Sequence, residues 1–334
     1  MSRPLIYFDQ NLLCEPIEAI INSDKYEIWR DTVSIAYSDE TILEIIRSVG
    51  LEDRILGNLE KFHTVRVCRE LINFKQTDRF LWGPQNPRQR FEELRSDPFF
   101  MSPGLNGLAS LHKSFGGQQD KSYQNILDDQ MIALSHTLSS ALNDTGLTQS
   151  EIDALVSLLP NSAGVLDEDV LEQAMGSGAS SSPALQFQKA LGLNLQELNK
   201  ITASKVIERI WALIQASPTQ LRYTDIDDFF QIKGLNPITR EPYTVPDKVR
   251  NMMLMLNMIG YFPDKKLRKE RQFKSSASDL SHASWGSLCS AFITRDKNFR
   301  QRLMATYEYL GVGTSIYGIE YTDGFELIDF WAGY

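Results

Sequence analysis

Four acids in this 334-residue chain stand where carboxylates do chemistry. Asp9 follows the apolar run Leu5-Ile6-Tyr7-Phe8, and Glu44 sits in an amphipathic stretch that follows a second apolar run. Asp279 and Asp296 bracket the segment DLSHASWGSLCSAFITRD near the other end. Gathered at one place, four carboxylates cannot all stay ionised without a counter-charge, because like charges raise one another's pKa. Hard divalent cations resolve this: Mg²⁺ takes oxygen ligands, needs one or two direct carboxylates and keeps several waters. Two such ions activate water and stabilise the leaving oxygen in phosphodiester cleavage. A Mg²⁺ site at Asp9, Glu44, Asp279 and Asp296 is therefore the expected chemistry. Glu40, one turn before Glu44 on the same helical face, competes with it. His282 reads as a satisfied structural histidine, since oxygen-ligated Mg²⁺ seldom needs an imidazole.

For these acids to meet, the two ends of the chain must build one sheet. Leu5–Phe8 reads as a buried strand, Leu12–Ser23 as a helix and Trp29–Tyr37 as a second strand. Asp39–Val49 reads as a helix capped by Ser38 and closed at Gly50. Near the other end, Asp279 opens a helix, Ala291–Thr294 is a strand, Asp296–Tyr309 a helix and Ser315–Tyr321 a final strand. Ligands of open parallel sheets bind at the carboxyl ends of the strands, where Asp9 and Asp296 fall.

Between these ends, residues 51–95 read as broken helices with arginines among aromatics. Phe74, Phe80, Trp82 and Phe91 are expected in the core rather than as base-stacking platforms. Pro98–Gln119 reads as loop and Gly176–Pro183 as a connector. Helices are expected over Tyr123–Leu142, after a capping box at Thr148–Glu151, and over Asn194–Ala216 and Val245–Ile259. The expected organisation is a discontinuous α/β core, residues 1–50 and 275–334, interrupted by a mostly helical insertion, residues 51–274.

A net charge of −9 argues against a passive nucleic-acid coat, but not against an enzyme with a local basic patch. Lys265–Arg271, followed by Lys274, is such a patch. It grips phosphate, with Lys269 and Arg271 foremost, or it is a solvated linker. The three cysteines, Cys14, Cys68 and Cys289, form no close pair, which argues against a zinc site or disulfide framework and for a reducing compartment. MSRPLIYFDQN has no apolar stretch suited to a signal peptide, and Met252–Phe262 is too short to span a bilayer. A cytoplasmic protein without membrane partners is expected.

The pieces IYFDQN, SDETILEI and DLSHA…AFITRDKNF together resemble the PIN-like nuclease domain. The resemblance covers about the first 50 and the last 60 residues. It implies a three-layer α/β/α fold with a central, mainly parallel sheet and an acidic Mg²⁺ or Mn²⁺ site that usually cleaves RNA. By position, Asp9 matches the acid ending the first strand and Asn11 the small polar residue two further on. Glu44 matches the glutamate of the early helix, and Asp279 the acid opening the penultimate helix. Asp296 matches the acid after the T-x-D strand end, supported by a hydrogen bond from Thr294, with Asn298 beside it. RNA, or single-stranded DNA, is the implied partner, together with a protein regulator or a second copy of the chain. Members with large additions act as toxins or antiviral effectors. Two other readings compete. A phosphatase with an aspartyl nucleophile needs an acid two residues after the first, and FDQN lacks it. A metal-free scaffold whose insertion binds a protein or RNA needs no ion at all.

Overall fold

The computed structural model describes residues 3–72, 75–97, 108–143, 145–157, 182–202, 204–217, 223–236, 239–322 and 324–331. Short apolar runs make its centre. The strands are β1 (Leu5–Phe8), β2 (Ser34–Tyr37), β3 (Thr64–Ile72), β4 (Lys75–Pro84), β5 (Ala291–Thr294), β6 (Ser315–Thr322) and β7 (Gly324–Trp331). They form one sheet in the order β4-β3-β2-β1-β5-β6-β7. The five inner strands run parallel, and the outer pairs β3–β4 and β6–β7 are antiparallel. The protein is thus α/β with a mixed, mainly parallel sheet. All four residues of β2 and of β5 are buried, as parallel strands covered on both faces require.

Helices α1 (Glu15–Ile21), α2 (Tyr26–Thr32), α3 (Asp39–Arg47) and α4 (Glu52–Leu59) accompany the first strands. After β4 come α5 (Pro87–Ser96), α6 (Leu108–Ser114), α7 (Tyr123–Asn143), α8 (Gln149–Ser157), α9 (Pro183–Leu191), α10 (Leu195–Leu198) and α11 (Val206–Gln215). Then follow α12 (Ile226–Phe229), α13 (Val245–Ile259) and α14 (Glu270–Gly286), and α15 (Lys297–Leu310) joins β5 to β6. The chain divides into two compact units. One holds Met1–Phe91, Leu191–Asp264 and Ala277–Tyr334, and the other holds Glu92–Ala190 and Lys265–Ser276.

The sheet-bearing unit buries Tyr7, Val249, Met253, Phe292, Phe299, Leu303 and Tyr307 in one core. Tyr7 stacks on Phe292 across the β1–β5 pair, with ring centroids 5.6 Å apart. Above them, Asp279, His282, Ala283 and Gly286 fall on one stripe of α14 at helical spacing. A Cβ on Gly286 would lie 2.1 Å from the Phe292 ring, so only glycine lets α14 lie this close over β5.

Several expectations are corrected. β3 and β4 lie in the stretch expected to be broken helices. Their arginines hid them, because the polar partners of Arg66 and Arg69 lie far away in sequence: Asp39 and Asp247. The insertion boundary at residues 51–274 accordingly gives way, since Leu51–Phe91 and Leu191–Asp264 stay with the sheet. Trp29–Thr32 is helical, and β2 starts at Ser34. The expected single helix over Asn194–Ala216 is two, α10 and α11, with Lys205 in a left-handed conformation before the second (φ 55°). Asp279 does not open a helix. Ser275–Ser278 looks like a start, yet α14 begins at Glu270 and runs through it. β6 is followed by a further strand, β7. Leu108–Ser114 is helical within the expected loop, whose residues 98–107 lie outside the described ones, as does nearly all of the connector at Gly176–Pro183. Phe91 is core, but Trp82 is 48% exposed, while Phe74 lies outside the described residues.

The first turn of α3 is fixed from outside. Both forks of Arg66 and Arg90 grip the Asp39 carboxylate at 2.8–2.9 Å. Burial alone would raise its pKa, but hydrogen bonds from Arg90 and then Arg66 outweigh burial and lower it. A depressed carboxyl stabilises above its unfolded pKa, near 3.9, and that contribution is lost as pH falls through the lower folded value. Asp39→Asn is therefore expected to cost about 1.5–3 kcal/mol at pH 7 in urea unfolding. The gap to wild type should narrow below about pH 4. An equal gap at pH 7 and pH 3 would rule out this origin.

Candidate functional site

The strand order reverses between the parallel neighbours β1 and β5, because β1 leads to β2 on one side while β5 continues on the other. At such a switch point the strand ends diverge and leave a crevice at their carboxyl edge. Asp9 is the first residue past β1, and its N–H continues the ladder to the Ile293 carbonyl at 3.0 Å. Thr294, the last residue of β5, therefore lies beside it. The buried Thr294 hydroxyl donates to Asp9 Oδ2 at 2.7 Å, and Asn11 Nδ2 donates to the same oxygen at 2.9 Å. Both bonds fall on Oδ2, and Oδ1 makes none among the described residues.

Asp279 approaches from α14. Its carboxylate has no hydrogen-bond partner among the described residues. Burial pushes its pKa well up, and the charges of Asp9 and then Asp264 push it further. Asp9 is likewise raised, chiefly by burial, although His282 and Thr294 oppose the shift. Asp296 caps α15 by accepting the Phe299 N–H at 2.8 Å, and it receives support from the Thr294 hydroxyl, which accepts its N–H at 3.1 Å. Asp296 is exposed, and its charge reaches Asp9. Asn298 donates to the Pro263 carbonyl at 3.4 Å, which ties α15 to the loop carrying Asp264.

Glu44 is buried on α3 and meets His282 Nε2 at 2.7 Å. The other ring nitrogen of His282 lies 2.9 Å from the Tyr7 hydroxyl, which in turn contacts the Ser38 and Thr41 hydroxyls at 2.8 and 3.1 Å. Burial alone would keep this histidine neutral. Tyr7, Glu44 and Asp9 around it outweigh burial and push its pKa well up, which favours the protonated ring beside the acids. Of the two competing glutamates, Glu44 is the one whose charge reaches Asp9. Glu40 is occupied by Arg47 at 2.6 Å and by the Ser278 hydroxyl at 2.7 Å.

One acid went unseen in the sequence. Asp264 stands in the loop before α14, gripped by Arg302 at 2.7 Å and by Asn257 Nδ2 at 2.9 Å. Nothing next to Asp264 in sequence marks it, because its partner Arg302 is 38 residues away. Lys269 and Arg271 are exposed and belong to the other unit. A surface cavity lined by Arg3, Ser34, Thr64 and Pro84 lies at the amino edge of the sheet, opposite the acids.

Among the described residues, no group of three or more His, Cys, Asp and Glu side chains is placed to hold a metal ion. A pair is enough for Mg²⁺, which takes one or two carboxylates and fills its shell with water. Asp9 and Asp279 fit that requirement. Among the described residues each has an oxygen without a hydrogen bond, and each is destabilised as an anion by burial and by neighbouring acids, a penalty that a cation reverses. The acid pair can thus bind a hard cation, while the Glu44–His282–Tyr7 chain can hold a proton at Nε2 between two fixed partners.

No family model, curated protein or solved structure matches this chain. Among the described residues, no helix is long and apolar enough to cross a membrane.

Proposed function

We propose that this protein is a metal-dependent nuclease of PIN-like type, with a three-layer α/β/α core, acting first on RNA. The observation that carries this reading is that Asp9, at the switch point of a parallel sheet, acts by its charge on Asp279, and that burial raises the pKa of both. Asp9 and Asp279 would hold Mg²⁺ or Mn²⁺, with Asp296 and Glu44 as further acids of the site. When bound, the ion supplies Lewis-acid activation of water and of the phosphodiester. Thr294 and Asn11 lock one oxygen of Asp9 and so aim the other. His282 keeps Glu44 in place and offsets part of the negative charge. Asp296, at the head of α15, adds charge at the exposed mouth of the site.

A metal-free scaffold is the second reading, favoured by the imidazolium already paired with Glu44 and by the lack of a three-residue ligand group among the described residues. One experiment separates the two. Purified protein is incubated with RNA and with single- and double-stranded DNA, in Mg²⁺, Mn²⁺ or EDTA, beside Asp9→Asn. Cleavage of RNA that needs the ion and falls at least about 100-fold in Asp9→Asn is expected, given that even supporting groups of metal sites are worth about 10–100-fold. Cleavage by Asp9→Asn at the wild-type rate would overturn the nuclease reading.

A further inference from the structure

The run from Lys265 to Arg271 is unlike an ordinary solvated linker. Its backbone is clamped. Leu267 is buried. The Arg268 carbonyl accepts a hydrogen bond from Nε2 of the buried His112 at 3.1 Å, and that ring stacks on Phe273 with centroids 4.6 Å apart. The His112 ring fills the place a Cβ on Gly117 would occupy, 2.0 Å away. Gly116, with φ +90°, lets the stem of Arg268 lie across it, its Cγ 3.3 Å from where a Cβ would stand. Lys266 is itself held in the left-handed region at φ +62°, closing a turn in which its carbonyl accepts the Lys269 N–H at 2.9 Å. A non-glycine residue keeps that conformation only where its surroundings impose it.

The side chains on this clamped backbone are nearly all cationic. Lys265, Lys266, Arg268, Lys269 and Arg271 are exposed, and none has a carboxylate partner among the described residues. The neighbouring acids are already engaged: Asp264 with Arg302 and Glu270 with Lys274. The one apolar side chain of the row points inward, so the row lacks the insertion anchor of a membrane-surface segment. Two arginines among lysines suit forked contact with successive phosphates.

We propose that Lys265–Arg271 is a preformed contact for the phosphate backbone of single-stranded nucleic acid, located in the unit that does not carry the sheet. The identity of this polyanion rests on the nuclease reading, whereas the binding is measured without cleavage. The triple variant Lys266→Gln, Lys269→Gln, Arg271→Gln leaves the clamp residues in place. Binding of a fluorescent single-stranded RNA oligonucleotide to the full chain is followed in EDTA across salt concentrations. A control triple, Lys25→Gln, Lys61→Gln, Lys200→Gln, removes the same charge elsewhere. Each phosphate contact on a single strand contributes roughly 0.7 to the slope of log K against log salt. The target triple should therefore lower the slope by about 2 and weaken binding roughly 10- to 100-fold at 0.1 M salt. The control should bind as wild type does. An unchanged slope in the target variant, or an equal loss in the control, overturns the proposal. So does a loss confined to phosphatidylserine vesicles with RNA binding intact, which would assign the row to a membrane. Loss of cleavage in Asp9→Asn with RNA binding retained in EDTA supports both readings separately.

Discussion

Asp279→Asn is expected to stabilise the metal-free protein at neutral pH and, in the same step, to abolish its response to Mg²⁺. Burial and the charges of Asp9 and Asp264 hold the Asp279 pKa well above its ordinary value. A carboxyl raised in this way binds more protons in the folded state than in the unfolded one. Its contribution therefore falls as pH rises past the unfolded value near 3.9. The amide escapes that penalty, so in EDTA the variant should gain on wild type between pH 5 and pH 8. Saturating metal reverses the ranking. An ion at about 100 times its Kd stabilises the folded state by ~2.7 kcal/mol. For a protein of this size that corresponds to a rise of roughly 4 °C in Tm. Thermal unfolding of both proteins, with EDTA or Mg²⁺, reads both effects. A variant less stable than wild type at pH 8 in EDTA would show that Asp279 has a favourable partner and is not a charge awaiting one.

Arg302→Met should be among the most damaging single substitutions in the sheet-bearing unit, costing about 3–5 kcal/mol. Arg302 is fully buried. It donates to the Phe262 carbonyl at 2.6 Å and to Asp264 at 2.7 Å, which fixes the loop before α14. Removing it leaves Asp264 as a partly buried charge without its counter-ion and frees a carbonyl as well. The cost of orphaning one member of such a pair exceeds what the intact pair adds to stability. Adding Asp264→Asn should recover much of the loss, since a neutral amide keeps its bond with Asn257 and needs no cation. All five tryptophans lie in the sheet-bearing unit, so their fluorescence in urea follows that unit. A cost below about 1 kcal/mol for Arg302→Met, or no recovery in the double variant, would refute the pairing as the origin.

What the sequence disclosed depends on how local each signal is. β1, β5 and α13 were legible because an apolar quartet or an amphipathic run needs no distant partner to be recognised. Asp9, Thr294 and Asp296 were legible for the same reason, since each follows or ends such a run. β3 was hidden because Arg66 and Arg69 look solvent-directed until Asp39 and Asp247 are placed beside them. The place of Asp279 within its helix is not legible. Its serine-rich approach resembles a helix start, whereas the helix continues through it. A structural His282 is what the sequence suggests, and it does make hydrogen bonds with both ring nitrogens. Its contact with Glu44 nevertheless puts a cation within the acid cluster, which no spacing rule reveals. Asp264 was illegible because only the folded chain brings Arg302 to it.

The Thr294–Asp9 hydrogen bond joins residues 285 positions apart. A ribosome adding about 5–20 residues per second needs roughly 15–60 s to travel from one to the other. Throughout that interval β1 has no β5 to pair with, and Asp9 has neither Thr294 nor Asp279 beside it. Whatever this centre does, it cannot begin until the chain has been made at least as far as Thr294. The order of synthesis therefore sets a threshold: a nascent chain that ends before Thr294 cannot carry the assembled centre.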